Sequence, residues 1–177
     1  MITDIRLAGQ QLAAPRFDTP KKLISWMGAI QAQDYAMARW AVGIRLKSAT
    51  ARSVGEAFSR GEILRTHVMR PTWHLVAAED IRWMLKLSAR RIRSANESLA
   101  KGRQLELTEQ LHYRCDRLLE KMLEGNRNLT KQQIGEELNR QGIAADTPRL
   151  TRLLMRAETE AVVCSGPFSG GRQTYAL

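Results

Sequence analysis

Residues 147–177, TPRLTRLLMRAETEAVVCSGPFSGGRQTYAL, decide the fold, because a helical pattern and a hairpin pattern follow each other directly. From Thr147 or Pro148 to Thr159, apolar residues recur at helical spacing and can face a core: Leu150, Leu153, Leu154 and Ala157. A short apolar strand (Ala161–Cys164), a glycine-rich loop (Ser165–Arg172) and a returning strand (Gln173–Leu177) follow. The C-terminal stretch therefore predicts a helix followed by a β-hairpin.

Two shorter helices are predicted before this stretch. Thr108 precedes a segment with one apolar face that ends around Gly125, and Thr130 caps a second segment that ends at Gly142. The resulting order is three helices, a strand, a glycine-rich loop and a strand. This order is typical of a winged helix-turn-helix unit, whose last helix can enter the major groove of DNA.

The first half of the chain shows a similar order. Thr19 and Pro20 start a helix, a second helix is expected over Tyr35–Arg45, and a third runs from Ser53 to about Gly61. The second helix is expected to bury one side: Ala36, Trp40, Ala41 and Ile44. Two strands, Leu64–Val68 and Thr72–Val76, are predicted to form a hairpin around Arg70 and Pro71.

The predicted fold class is therefore mainly α with short β-hairpins, arranged as tandem winged helix-turn-helix units. We divide the chain into a first unit over residues 1–88, a basic connecting helix over 89–104 and a second unit over 105–177. Acidic Glu79 and Asp80 are expected in the first turn of a helix that reaches about Gly102, where they complement its dipole.

The chain carries an excess of positive charge that favours a polyanionic partner. It holds 28 Lys and Arg residues against 18 Asp and Glu, a net charge of +10 and a sequence pI near 10.3. Lys and Arg that neutralise phosphates release condensed counterions, which favours association with nucleic acid. The predicted partner is double-stranded DNA, although a charged surface that only confers solubility would look similar.

The candidate DNA-binding residues are arginines of the hairpin, the connecting helix, the last helix and the wing. The alternative interpretation is a solvated helix face or a protein-interaction module. The candidates are Arg65, Arg70, Arg90, Arg91, Arg93, Arg149, Arg152, Arg156 and Arg172.

Several other classes of protein are disfavoured. We expect a cytoplasmic protein without a membrane segment, because no signal peptide and no run of about 20 apolar residues is present. Cys115 and Cys164 are expected to be free thiols, and His112 with Cys115 supplies only two metal donors. No nucleotide-binding or metalloprotease motif occurs, so no metal and no cofactor are predicted, and the oligomeric state stays open.

The segment Gln31-Ala32-Gln33-Asp34 lies between two apolar helices. The amides of Gln31 and Gln33 project together if the segment is extended and nearly oppositely if it is helical. An amide can orient a water molecule and place its carbonyl dipole near developing positive charge, which suffices when the leaving group is a cationic alkylated purine. A polar linker between helices is the alternative interpretation.

These residues resemble the AlkZ/YcaQ-like winged-helix DNA glycosylases. The resemblance extends over the glutamine segment with the residues that follow it (Arg39, Trp40, Ala41, Arg45), the run LRTHVMRPTWHLV at residues 64–76 and the opening RLAGQQL at residues 6–12. It implies hydrolysis of the N-glycosidic bond of alkylated or crosslinked purines. By motif position, Gln31 and Gln33 would be the catalytic pair, with Asp34 as a possible supporting residue.

The resemblance also implies a monofunctional enzyme, since no lysine accompanies the pair to form a Schiff base. Family members are longer and contain a third winged-helix unit, so this chain is either a fragment or a short relative. Two other functions remain open on the sequence: a non-enzymatic winged-helix transcriptional regulator, and a protein-interaction scaffold whose charge is incidental.

Overall fold

The computed structural model describes all 177 residues as eight helices and six short strands in two compact units. Unit 1 consists of Met1–Arg65 and Trp73–Ile81, and unit 2 of Thr66–Thr72 and Arg82–Leu177. No helix combines the length and the hydropathy that crossing a membrane requires. The expectation of a mainly helical chain with small antiparallel sheets is confirmed.

Unit 1 begins with four helices and a very short strand, each started or ended by a specific residue. Its elements are α1 (Ile2–Gly9), α2 (Pro20–Met27), β1 (Ile30–Gln31), α3 (Tyr35–Gly43), α4 (Ala51–Ser59), β2 (Ile63–His67), whose last two residues belong to unit 2, and β3 (Trp73–Ala77). The Thr19 hydroxyl accepts a hydrogen bond from the Lys22 amide at 3.3 Å, which caps α2. Gly28 ends that helix at φ 76°, a conformation that costs glycine little.

The unit 1 sheet has the strand order β1-β3-β2. β1 pairs antiparallel with β3, so that Ile30 lies opposite Leu75 and Gln31 lies opposite His74. The core beneath it is apolar and fully buried, formed by Leu23, Ile24, Val42, Val54, Phe58, Ile63 and Leu75. Burial of these side chains against α2, α3 and α4 holds the two-residue strand in place.

Unit 2 repeats the same order of elements after a long helix. Its elements are α5 (Ile81–Gly102), α6 (Glu109–Leu123), β4 (Leu129–Thr130), α7 (Lys131–Arg140), α8 (Thr147–Thr159), β5 (Cys164–Ser169) and β6 (Arg172–Ala176). The sheet order is β4-β6-β5, and Leu129 lies opposite Tyr175. In both units a two-residue strand therefore pairs with the last strand of a hairpin.

Two helical predictions differ from the structure. α3 buries Ala38 and Val42, whereas Trp40 is 60% exposed and Ala36 is also exposed, so the predicted buried side was wrong. The apolar residues of α3 occur on more than one face, and contact with α2 and α4 selects the face that carries the smaller side chains.

The helix predicted to open at Glu79 and Asp80 instead begins at Ile81, with both acids in the preceding turn. It continues without a break to Gly102, so the predicted boundary between residues 88 and 89 falls inside one helix.

The predicted glycine-rich loop is mostly strand. β5 extends to Ser169, and only Gly170 and Gly171 form the turn, with φ of 56° and 76°. Positive φ at both positions is what a two-residue hairpin turn requires, because such a turn matches the twist of the strands. The wing is therefore a tight hairpin.

Candidate active site and basic residues

The segment that carries the two glutamines is extended as far as Ala32, and the backbone bends at Gln33 and Asp34. Gln31 ends β1, and the Ala32 amide donates to the Trp73 carbonyl at 2.7 Å, which continues the pairing by one residue. Gln31 and Gln33 are exposed while Ala32 between them is completely buried. This alternation of exposed and buried side chains agrees with the extended conformation considered from sequence and not with the helical one.

The Arg65 side chain holds this segment through its backbone. Its Nε donates to the Ala32 carbonyl at 2.9 Å and its Nη2 donates to the Gln33 carbonyl at 3.0 Å. The guanidinium also lies 4.5 Å from the centre of the Trp73 ring, a cation–π distance. The sequence proposed Arg65 as a DNA contact, whereas the structure engages its guanidinium with the glutamine segment.

The Gln33 amide is oriented by a neighbouring strand. Its Oε1 accepts a hydrogen bond from the Trp73 amide at 3.3 Å. An amide oxygen has two lone pairs, so this bond leaves one lone pair and the two Nε2 hydrogens for other partners. The Gln33 side chain therefore has a defined orientation at the exposed edge of the sheet.

Asp34, the possible supporting residue of the glutamine pair, has a structural role as a helix cap. Its carboxylate accepts a hydrogen bond from the Met37 amide at 3.0 Å and caps the N-terminus of α3. The cap sets where α3 begins, one residue after Gln33.

Tyr35 packs behind the glutamine segment, with its ring 5.5 Å from the Phe58 ring. Burial raises the pKa of its phenol, and the charges of Arg39 and Arg65 partly oppose that effect. The phenol therefore stays protonated near neutral pH and cannot act as a base there.

A cavity of about 310 Å³ opens elsewhere in unit 1, between α3 and the start of α4. Its lining includes Arg39, Trp40 and Thr50, but neither Gln31 nor Gln33. The two amides thus lie outside this cavity.

The predicted arginines of α8 differ in their surroundings. Arg156 is 12% exposed, and its guanidinium is within ion-pair distance of three carboxylates: Glu97, Glu109 and Glu160. Arg149 donates to the Glu106 carbonyl at 3.0 Å and lies 3.8 Å from the Asp146 carboxylate. Arg152 has no carboxylate partner, and its nearest polar contact is the Met155 sulfur at 3.9 Å.

α8 has almost no exposed face. Among its residues only Thr147 is exposed. Asn96 of α5 donates to the Arg152 carbonyl at 2.9 Å, and His67 contacts the buried Glu158 from another side through Nδ1 at 2.5 Å. The prediction that α8 reads a DNA groove stays a prediction, but its helix face is covered in this structure.

The remaining predicted arginines lie at the surface. Arg90 and Arg91 are exposed on α5, and Arg70 is exposed at the tip of the first hairpin. Arg93 pairs with Glu160 at 3.0 Å, and Arg172 on the wing donates to the Gln132 side chain at 3.0 Å. The structure therefore brings Gln31, Gln33 and Arg65 together in unit 1 and divides the other arginines between exposed and paired positions.

His112 and Cys115 on α6, which are too few to form a metal site, as the sequence indicated, are both neutral near pH 7. Burial lowers the pKa of His112 and raises the pKa of the Cys115 thiol to about 12. Both cysteines are free thiols. No group of three or more His, Cys, Asp or Glu side chains has an arrangement that could hold a metal ion.

No role was assigned from the sequence to Trp73 or Lys131, and Arg103 was not among the candidate DNA-binding residues. Trp73 contributes its backbone amide to Gln33 and its ring to Arg65. Lys131 and Arg103 lie near Arg152 in unit 2. Lys131 directly follows the predicted cap Thr130, and this position at a helix start was the only signal that could have singled it out.

The solved structure of the Streptomyces sahachiroi DNA glycosylase AlkZ is similar to this chain. The TM-score is 0.73 at 21% sequence identity, over 97% of this chain and 47% of that protein. The chain thus shares the fold of part of a DNA glycosylase and spans less than half the length of that relative. No curated protein matches it.

The family model described as DNA glycosylase AlkZ-like matches residues 24–177. The chain therefore belongs to the AlkZ-like DNA glycosylase family. The family resemblance identified from the sequence is confirmed.

Proposed function

We propose that this chain is the DNA-binding and base-releasing part of a monofunctional DNA glycosylase that acts on alkylated or crosslinked purines in double-stranded DNA. The observation that carries the proposal is the pair of exposed amides on a non-helical segment whose backbone accepts two hydrogen bonds from Arg65. Membership in the AlkZ-like family supports the reaction class. Gln31 and Gln33 are the proposed catalytic residues.

The chemistry suits amides rather than a strong base. Alkylation at N7 makes the purine cationic, so it leaves with the electrons of the N-glycosidic bond as a neutral base. Water then bonds to the sugar C1′ and loses one proton to solvent. Carbonyl oxygens of Gln31 and Gln33 would accept hydrogen bonds from this water and stabilise positive charge on the sugar. No lysine occurs between Lys22 and Lys47, in keeping with hydrolysis by water.

The repeated element order supports an interpretation of both units as tandem winged helices. In each, three helices interrupted by a two-residue strand precede a hairpin. Winged helices commonly hold duplex phosphates with the wing and with helix termini. The proposed phosphate contacts are the exposed or unpaired arginines: Arg70, Arg90, Arg91, Arg152 and Arg172.

The test measures release of N7-alkylguanine from duplex DNA by the wild-type chain and by Gln31→Ala and Gln33→Ala. Each substitution is expected to reduce the rate at least a hundredfold, an effect of about 3 kcal/mol on the barrier. Gln141→Ala is the matched control, since it removes an exposed amide from unit 2. Equal rates for the wild type and the two variants would remove the catalytic assignment.

A non-enzymatic regulator would give a different result. It would release no base and would enrich one duplex sequence from a random pool, whereas a lesion-directed enzyme has no need to select sequence. A scaffold would bind duplex DNA weakly and without a steep dependence on salt concentration.

A further inference from the structure

Three cations of unit 2 make no ion pair, and two of them meet at α8, where Lys131 bonds the residue that precedes Arg152. They are Lys131 at the start of α7, Arg152 on α8 and Arg103 just after α5, and we call them the cation cluster. None of them takes part in any ion pair of the structure, whereas the arginines that flank Arg152 on the same helix, Arg149 and Arg156, both do. The cluster is therefore an uncompensated patch of positive charge.

The Lys131 ammonium has a defined position in the cluster. Its Nζ donates to the Thr151 hydroxyl at 2.6 Å, and that hydroxyl donates to the Thr147 carbonyl at 2.6 Å. These bonds place the ammonium against α8 beside Arg152. An ammonium has three hydrogens, so two remain for a ligand.

Burial and neighbouring positive charge both disfavour the charged forms of Lys131 and Arg152. Burial lowers the pKa of Lys131, and the neighbouring Arg152 lowers it further. Burial also lowers the pKa of Arg152, with a smaller contribution from Arg103. Cations that are half-buried and close together without carboxylates destabilise a folded chain, unless an anion binds among them.

The two other arginines of α8 differ from Arg152, because both lie near carboxylates. Arg156, four residues after Arg152, has three carboxylates around its guanidinium. Arg149, three residues before it, is close to Asp146. Internal pairing therefore uses two of the three arginines and leaves Arg152 to the cation cluster.

We propose that the cation cluster is a phosphate site for the backbone of double-stranded DNA. The wing supplies a fourth cation nearby, since Arg172 donates to Gln132, the residue that follows Lys131. Several cations in one place can bind a phosphate together, because each of its oxygens can accept a hydrogen bond from a different side chain. This inference rests on the proposed function only in taking duplex DNA as the ligand, and it adds Lys131 and Arg103, which were not among the candidate DNA-binding residues.

The experiment measures binding of the whole chain to an undamaged duplex by fluorescence anisotropy over a range of salt concentrations. The variants are Lys131→Gln, Arg152→Gln and the double substitution. Each lost phosphate contact is expected to lower the salt slope by about 0.9, which corresponds to roughly fivefold weaker binding at about 0.15 M salt.

Arg140→Gln is the matched control, because it removes one exposed positive charge from the other end of α7, where Arg140 pairs with Glu137. Its salt slope should stay close to that of the wild type. Without DNA, Lys131→Gln and Arg152→Gln are expected to unfold at the same temperature as the wild type or higher, since they relieve like-charge repulsion. A merely structural role would lower that temperature.

Two results would overturn the phosphate site: Lys131 and Arg152 variants that keep the wild-type salt slope, or an Arg140→Gln control whose slope falls as much as theirs. Base release by the Gln31 and Gln33 variants is a separate readout. The phosphate site can therefore fail while the catalytic proposal stands, and the reverse also holds.

Discussion

The two units have the same strand order but differ where the two-residue strand meets the next helix. In unit 2, Thr130 is both the last residue of β4 and the cap of α7. In unit 1, three residues, Ala32 to Asp34, separate β1 from α3. The strand and the helix are thus joined directly in unit 2, whereas in unit 1 the glutamine segment is inserted between them. The fold that the two units share therefore does not by itself provide the candidate active site.

The third helices also differ. α4 buries Val54, Ala57 and Phe58 and leaves its other side exposed. α8 buries residues all around, including Glu158, which is 1% exposed. Unlike α4, α8 therefore has no exposed face, and it contributes Glu158 to a buried polar pair with His67.

The largest expected effect tests this second difference. Glu158→Ala should lower the free energy of unfolding by about 3 to 5 kcal/mol, because it leaves the buried His67 ring without its carboxylate. Urea unfolding followed by circular dichroism measures the change. Glu136→Ala, at an exposed position of α7, is expected to change it by less than about 0.5 kcal/mol. Similar values for both variants would contradict the importance of the pair.

The next prediction concerns the extended junction of unit 1. Arg65→Lys should lower kcat for base release at least tenfold, about 1.4 kcal/mol, since an ammonium cannot bridge the Ala32 and Gln33 carbonyls as the guanidinium does. The Kd for undamaged duplex should stay unchanged. Weaker duplex binding with unchanged turnover would instead make Arg65 a phosphate contact, as its sequence position first suggested.

A smaller effect compares the two helix caps directly. Asp34→Ala and Thr130→Ala should each lower the free energy of unfolding by about 1 kcal/mol, because each removes the acceptor at a helix start. Only Asp34→Ala should also slow base release, since Gln33 precedes that cap. Asp34→Ser, which keeps a capping oxygen, should restore both quantities. Equal loss of activity in the two alanine variants would contradict this division.

The smallest effect is a pH dependence. Burial raises the pKa of Asp116 in α6 from 3.8 to about 6, with Arg156 opposing the rise and nearby glutamates adding to it. Between these values the native state binds more protons than the unfolded chain, so the contribution of Asp116 is full below about pH 4 and is lost as the pH rises through 6. Asp116→Asn should therefore stabilise the chain at pH 7 by about 0.5 kcal/mol, allowing for solvent screening.

Glu62 in unit 1 is the control of opposite sign. A hydrogen bond from Arg60 lowers its pKa, so its stabilising contribution is present above its ordinary pKa and lost in acid. Glu62→Gln should accordingly not stabilise the chain at pH 7. Thermal unfolding from pH 3 to 8 checks both variants, and parallel profiles would refute the assignment.

Elements with strong local signals were predictable from the sequence. Thr130 and Pro148 mark helix starts, and the apolar period of α8 sets its length, so that these boundaries lie within a few residues of the observed ones. The strands β1 and β4 were not predictable, because two residues show no alternation and depend on pairing with β3 and β6. The exposure of Trp40 likewise depends on which helices pack against α3.

The candidate site was predictable in its residues and not in its contacts. The chemistry of two amides singled out Gln31 and Gln33, and the structure supplies the non-helical backbone on which that hypothesis depends. The role of Arg65 requires a contact across more than 30 positions of sequence, with Ala32 and Gln33, which no local pattern contains. The catalytic role itself stays a prediction.

The carboxylates around Arg156 make the charge of unit 2 change along α8. A polyanion is therefore attracted more strongly at one point along this helix than at another. Two guanidiniums, those of Arg93 and Arg156, lie among the carboxylates of Glu97, Glu109 and Glu160 and leave one negative charge unbalanced, whereas Arg152, one helical turn earlier, belongs to the cation cluster. About 6 Å of helix axis separates the two signs. If a duplex binds at the proposed phosphate site, this change of charge attracts it at Arg152 and repels it one turn further along α8, which limits the directions from which it can dock.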